Sequence, residues 1–201
     1  MDYKEKLKER LLKYAAIRTP SDENSDTVPS TPCQFELAQH LHRELFTMGI
    51  TDVKVTTQCY LYAHIPAARG YEDRPALGFI AHLDTVSDFC AARVVPVIHE
   101  DYSGRELALG TSGRVLSPDM FPHLKDLKGC TLITSDGTTI LGADDKAGIA
   151  EIMTLAERLM TEEIPHGPVS IAFTPDEEIG MGAAHFDLEE LGADFAYTLD
   201  G

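Results

Sequence analysis

Two short apolar runs, Ala76-Leu-Gly-Phe-Ile-Ala81 and Val169-Ser-Ile-Ala-Phe173, most restrict the folds open to this chain. Each is short for a helix and too uniformly apolar to alternate between core and water, which is the pattern of a strand covered on both faces. Strands of that kind need helices above and below. Leu7, Leu11 and Ala15 mark a first amphipathic helix that stops before Thr19-Pro20, and Phe35, Ala38, Leu41, Leu45 and Met48 mark a second, ended by Gly49. Ile149, Met153, Ala156 and Met160 place a third helix from near Asp145, and residues 182–191 a weaker fourth. Val53–Thr56, Tyr60–Ile65 and Phe195–Leu199 read as further strands. Ser135-Asp-Gly137, between Cys130–Thr134 and Thr138–Leu141, predicts a hairpin. Strands alternating with helices imply an α/β fold, a mixed, mostly parallel sheet flanked by helices. The polar segment Ser21–Pro32 reads as a loop, and the Gly- and Pro-rich stretch 88–128 has no clear period.

The chain has 201 residues, 43% of them apolar, enough to bury a sizeable core. Its formal charge is −16, which argues against nucleic acid and anionic membrane as partners and suits a site that collects cations. Cys33, Cys59, Cys90 and Cys130 are scattered without a C-x-x-C pair and read as reduced. The charged N-terminus has no apolar signal core, and no run is long enough to span a membrane, so a cytoplasmic protein is expected.

The chemistry gathers at the ends of the apolar runs. His82-Leu-Asp84, Asp144-Asp145, Asp176-Glu-Glu178 and Asp200 each follow an extended segment. In open α/β sheets ligands gather beyond the carboxyl ends of the strands. Each group also has an ordinary structural account. Asp144 and Asp145 could cap the helix that follows them, His82 could be a hydrogen-bonded structural residue, and Glu177 and Glu178 could be solvated loop acids. Asp200-Gly201 is a turn signature anywhere. Four such groups at four strand ends point instead to a divalent metal site, and one imidazole with several carboxylates suits zinc. Asp84 would then accept the second ring N–H of His82. Gly180-Met-Gly182 lacks the context of a phosphate loop, and no serine sits in a G-x-S-x-G elbow.

Along essentially its whole length the sequence resembles the co-catalytic dizinc exopeptidases, and within them the cytoplasmic aminotripeptidases. The motifs that carry the resemblance are Phe79-Ile-Ala-His-Leu-Asp-Thr85, Leu116-Ser-Pro-Asp-Met-Phe-Pro122, Thr131-Leu-Ile-Thr134, Gly142-Ala-Asp-Asp-Lys-Ala-Gly148, Phe173-Thr-Pro-Asp-Glu-Glu-Ile-Gly180 and Tyr197-Thr-Leu-Asp-Gly201, with Val28-Pro-Ser-Thr31 in the loop. The resemblance implies two zinc ions bridged by Asp144, with His82 and Asp200 completing the first site and Glu178 serving the second. It implies that Asp84 holds His82 and that Glu177 is the general base, acting on the bridging water and then on the departing amine. It also implies a cis peptide between Asp144 and Asp145.

The reaction implied is release of the N-terminal residue from short peptides, tripeptides foremost, by a homodimer. Deacylation of N-acyl amino acids or dipeptide hydrolysis is the nearest alternative. Members of the family take a last zinc ligand, a histidine, from further downstream, and carry an inserted lid and dimerisation domain. Residues 1–201 therefore correspond to the first part of the catalytic domain, and this chain alone is expected to be inactive, a metal-binding fragment at most.

Overall fold

The computed structural model describes residues 3–90 and 93–200. In chain order the first half comprises helices α1 (Tyr3–Ala15) and α2 (Gln34–Thr47), then strands β1 (Asp52–Val55), β2 (Leu61–Ile65), β3 (Leu77–His82) and β4 (Pro96–His99). Strands β5 (Leu107–Leu109), β6 (Arg114–Leu116) and β7 (Leu132–Ser135) follow, then helix α3 (Ala143–Thr161), strand β8 (Val169–Thr174), helix α4 (Leu188–Leu191) and strand β9 (Phe195–Thr198).

The main sheet has the order β1-β2-β8-β3-β9. β2 is antiparallel to β1 and β8, whereas β3 is parallel to β8 and β9. The expected mixed α/β sheet is present, and its parallel part lies where the acidic motifs follow the strands. Every residue of the central β8 is buried. The other apolar run, β3, is only half covered, because its second neighbour β9 is an exposed edge.

α1, α2 and α3 bury one face of the sheet in a core that includes Tyr14, Leu41, Leu45, Ile149, Met153 and Phe173. Helix α2 stops at a Schellman motif: the amides of Gly49 and Ile50 donate to the carbonyls of Phe46 and Leu45, with Gly49 at φ +95°. Tyr60 and Tyr62 lead a smaller cluster on the opposite face. Met160, expected on the buried stripe of α3, is exposed in the last turn.

Two sequence expectations change. Thr138–Leu141 forms no strand, and β7 pairs instead with β4, from Pro96 opposite Ser135 to His99 opposite Leu132. The Asp136-Gly137 turn is present, but side chains meet the backbone groups a hairpin would pair: Asp136 Oδ1 accepts from Thr138 N, and Ser135 Oγ donates to Thr139 O. The stretch 88–128 contains β4, the β5–β6 hairpin and a 3-10 turn over Pro122–Leu127, elements too short to leave a period in sequence. The weak fourth helix contracts to the four residues of α4. All four cysteines are free, and no helix among the described residues is long and apolar enough to cross a membrane.

Glu44 ties α1 to α2. Arg10 Nε donates to its Oε1 at 2.9 Å, Tyr14 Oη to its Oε2 at 3.0 Å, and His40 Nε2 lies 3.5 Å away. Burial alone would raise its pKa, but His40, Arg10 and Tyr14 lower it to about 2. The stabilisation is complete above the unfolded value near 4.5 and is lost as pH falls toward 2. Glu44→Gln is expected to cost roughly 2–3 kcal/mol near pH 7 and markedly less near pH 3, read from urea unfolding at the two pH values.

Candidate metal centre

Because β3 and β8 are parallel and in register, their carboxyl ends emerge together, with His82 opposite Thr174. Beyond β3 the chain is pinned on both sides: Leu83 N donates to Thr174 O at 2.8 Å and Thr85 N to Thr19 O at 3.0 Å. Asp84 is fully buried, and its carboxylate reaches across to the turn after β8. Oδ1 accepts from Glu177 N at 2.9 Å and Oδ2 from Glu178 N at 3.1 Å.

His82 is 2% exposed, and its ring is fixed at one nitrogen. Nδ1 lies 3.0 Å from the Asp84 carbonyl oxygen and 3.4 Å from Asp84 Oδ1. Nε2 faces outward, 3.0 Å from Asp144 Oδ1 and 3.8 Å from Glu177 Oε2. The expected contact between Asp84 and His82 is present, although the shorter bond is to the Asp84 backbone.

Asp144 and Asp145 divide their work. The peptide between them is cis and both depart from helical torsions, so regular helix begins after them. Asp144 points toward His82 with its side chain 57% exposed. Asp145 is 3% exposed and turned inward: Oδ2 accepts from His82 N at 3.0 Å, and Oδ1 from Gly148 N at 3.2 Å. The second bond is that of an N-cap, so capping falls to Asp145 alone.

Asp200, just beyond β9, completes the arrangement. One ligand atom from each of His82, Asp144 and Asp200 lies within 4.8 Å of the others. One imidazole nitrogen and two carboxylate oxygens at this spacing form a donor set that fits a divalent cation. The glutamates are less drawn in. Glu177 reaches within 3.8 Å of the imidazole, and Glu178 stands outside the three-residue group. The turn expected at Asp200-Gly201 includes Gly201, which lies outside the described residues.

The field at the site is strongly negative. Burial works against charge on His82, yet hydrogen bonding and charge from Asp84, together with Asp145 and Asp144, raise its pKa to about 9. Burial raises Asp145 to about 7 despite the His82 amide, with Asp200 and Asp144 adding to the rise. Glu178 is also raised, first by burial and then by Asp144, Asp84 and Glu177, against His82. The negative field that raises His82 also favours a cation.

Sequence reasoning missed three buried supports. Asp145 was readable only as a cap, yet it is 3% exposed and also accepts from the amide of His82. Lys146 is 1% exposed with Nζ 2.6 Å from Ile17 O, and burial lowers its pKa to about 8. Asp176, fully buried, had no role of its own in the Asp176-Glu-Glu178 motif.

Known proteins are similar to this chain. A peptidase T from an Exiguobacterium strain is 54% identical over 198 residues, 98% of this chain and 48% of that protein. A peptidase T from Shewanella pealeana is 50% identical over 199 residues, with the same coverage. Over nearly its whole length the chain is similar to these peptidase T proteins. It spans about half the length of the curated relatives it matches. A tripeptidase structure from Staphylococcus aureus, 26% identical, superposes with a TM-score of 0.69 over 100% of this chain and 44% of that one. The family model for M42 glutamyl aminopeptidase matches residues 130–201, the part that holds Asp144, Glu177, Glu178 and Asp200.

The close approach behind the site depends on Gly148. A Cβ there would overlap Asp145 Oδ1 and the Leu199 carbonyl oxygen. Gly148→Ala is expected to destabilise the fold by about 1–3 kcal/mol in urea unfolding, because neither backbone nor buried carboxylate can step aside.

Proposed function

We propose that the full-length protein is a metal-dependent aminopeptidase that releases the N-terminal residue from short peptides, tripeptides foremost. The observation that carries this reading is the convergence of His82, Asp144 and Asp200 within 4.8 Å, beside Glu177. Identity of about half to peptidase T relatives supports the reaction class, and the neighbour named a tripeptidase supports the substrate length. Zinc is the proposed ion, two per complete site. His82 and Asp200 would hold the first, Glu178 the second, and Asp144 both.

Bound ions would polarise the scissile carbonyl and lower the pKa of a coordinated water. The protein's own residues supply the rest. Asp84 fixes the His82 ring through Nδ1, so that Nε2 faces the metal position. Glu177, 48% exposed and 3.8 Å from His82, would take a proton from the attacking water and return it to the departing amine. Its amide and that of Glu178 rest on one carboxylate, which would anchor base and ligand at a common point.

We further propose that residues 1–201 are the first part of the catalytic domain, that the protein is cytoplasmic, and that the full-length protein forms a homodimer. Its partners are short peptides rather than nucleic acid or membrane.

In the full-length enzyme, Glu177→Gln should lower kcat by roughly 10²–10⁴-fold with metal content unchanged, measured by steady-state kinetics alongside metal analysis. A free tripeptide should be hydrolysed faster than an N-acetyl amino acid; faster loss of the acetyl group would assign the site to deacylation.

A further inference from the structure

Asp176 is buried in full, and the donors on its carboxylate come from the far end of the sequence. Ser30 N donates to Oδ2 at 2.7 Å, Ser30 Oγ to Oδ1 at 2.5 Å, and Gln34 Nε2 to Oδ1 at 2.6 Å. Gln34, itself 0% exposed, returns the contact by accepting from Asp176 N at 3.2 Å. All three donors, one backbone amide and two side chains, are neutral, and Asp176 adopts a left-handed conformation (φ 57°) that few residues other than Gly, Asn and Asp take up.

The next two residues are Glu177 and Glu178, whose amides donate to Asp84. This turn is thus gripped on one side by Asp84 and on the other by Ser30 and Gln34. The segment leading to Ser30 also reaches the other half of the site. Thr85 N donates to Thr19 O, and Ser21 N to Thr85 O, both at 3.0 Å. One run of chain, from Thr19 to Gln34, therefore braces the turn after β3 and the turn after β8.

We propose that Asp176 is a positioning residue which, through Ser30 and Gln34, holds the Glu177-Glu178 turn on Asp84 and so sets the geometry of base and ligand. This rests on the functional reading of Glu177 and Glu178 given above. Asp176 does not face the reacting atoms. It acts by making the left-handed turn rigid where the backbone reverses from β8 into the site. A local anchor of this kind differs from a general contribution to stability, because its loss should loosen two named amides more than the rest of the fold.

The test needs no activity, so it can fail while the aminopeptidase reading stands. Backbone amide hydrogen exchange is followed by NMR in the folded 201-residue chain, comparing the unsubstituted protein with Asp176→Asn. Exchange at Glu177 and Glu178 should speed up by about tenfold or more, with amides of α3 and β8 changing by less than about threefold. The exchanged pair Gln34→Glu with Asp176→Asn restores a donor opposite an acceptor and should bring both rates back to within about threefold of the original. If Asp176→Asn does not fold, Ser30→Ala and Gln34→Ala are judged by the same comparison. Unchanged exchange at Glu177 and Glu178 in a folded variant would overturn the proposal. So would an equal acceleration throughout the chain, which is the mark of a purely structural role.

Discussion

Everything at the site hangs from the buried Asp84 carboxylate. It sits two residues beyond the end of β3 and accepts the amides of two residues beyond the end of β8. An unpaired carboxylate is costly to bury, so its two amide partners are obligatory rather than incidental. Parallel pairing of β3 with β8 brings the two turns side by side, and Asp84 locks them. His82, held by the Asp84 carbonyl, and Glu177, held by its carboxylate, then share one reference point.

Asp145 repeats the device from the third element. Its carboxylate joins the amide of His82 to the first regular turn of α3, so the helix that carries Asp144 is registered against β3. Gly148 permits the approach, since a side chain there would strike both Asp145 and the carbonyl of Leu199. The exposed acids are thereby borne on buried ones. Asp144 and Glu177 are exposed at the surface, while Asp84, Asp145 and Asp176 lie beneath and order the backbone. The strongly acidic balance of the chain has a local meaning here, for part of it is structural.

The sequence revealed the outward-facing residues more readily than their supports. Apolar runs located β3 and β8, helical spacing located α1, α2 and α3, and of the acids singled out Asp144 and Asp200 gather at His82 while Glu178 lies outside that group. Asp176 was hidden because its partners are remote: Ser30 and Asp176 are 146 residues apart. No local pattern separates such a residue from a solvated one. The expected hairpin at Ser135-Asp-Gly137 failed for a related reason. The turn chemistry was sound, but β7 found its partner in β4, within a stretch whose short strands leave no period.

The central claim, that His82, Asp144 and Asp200 form a metal centre, is tested most directly by zinc titration of the metal-stripped chain near neutral pH, followed calorimetrically. The account predicts at least one zinc ion bound per chain, with affinity lowered about tenfold or more by His82→Ala. Absence of binding by the folded chain, or binding that His82→Ala leaves unchanged, would contradict it.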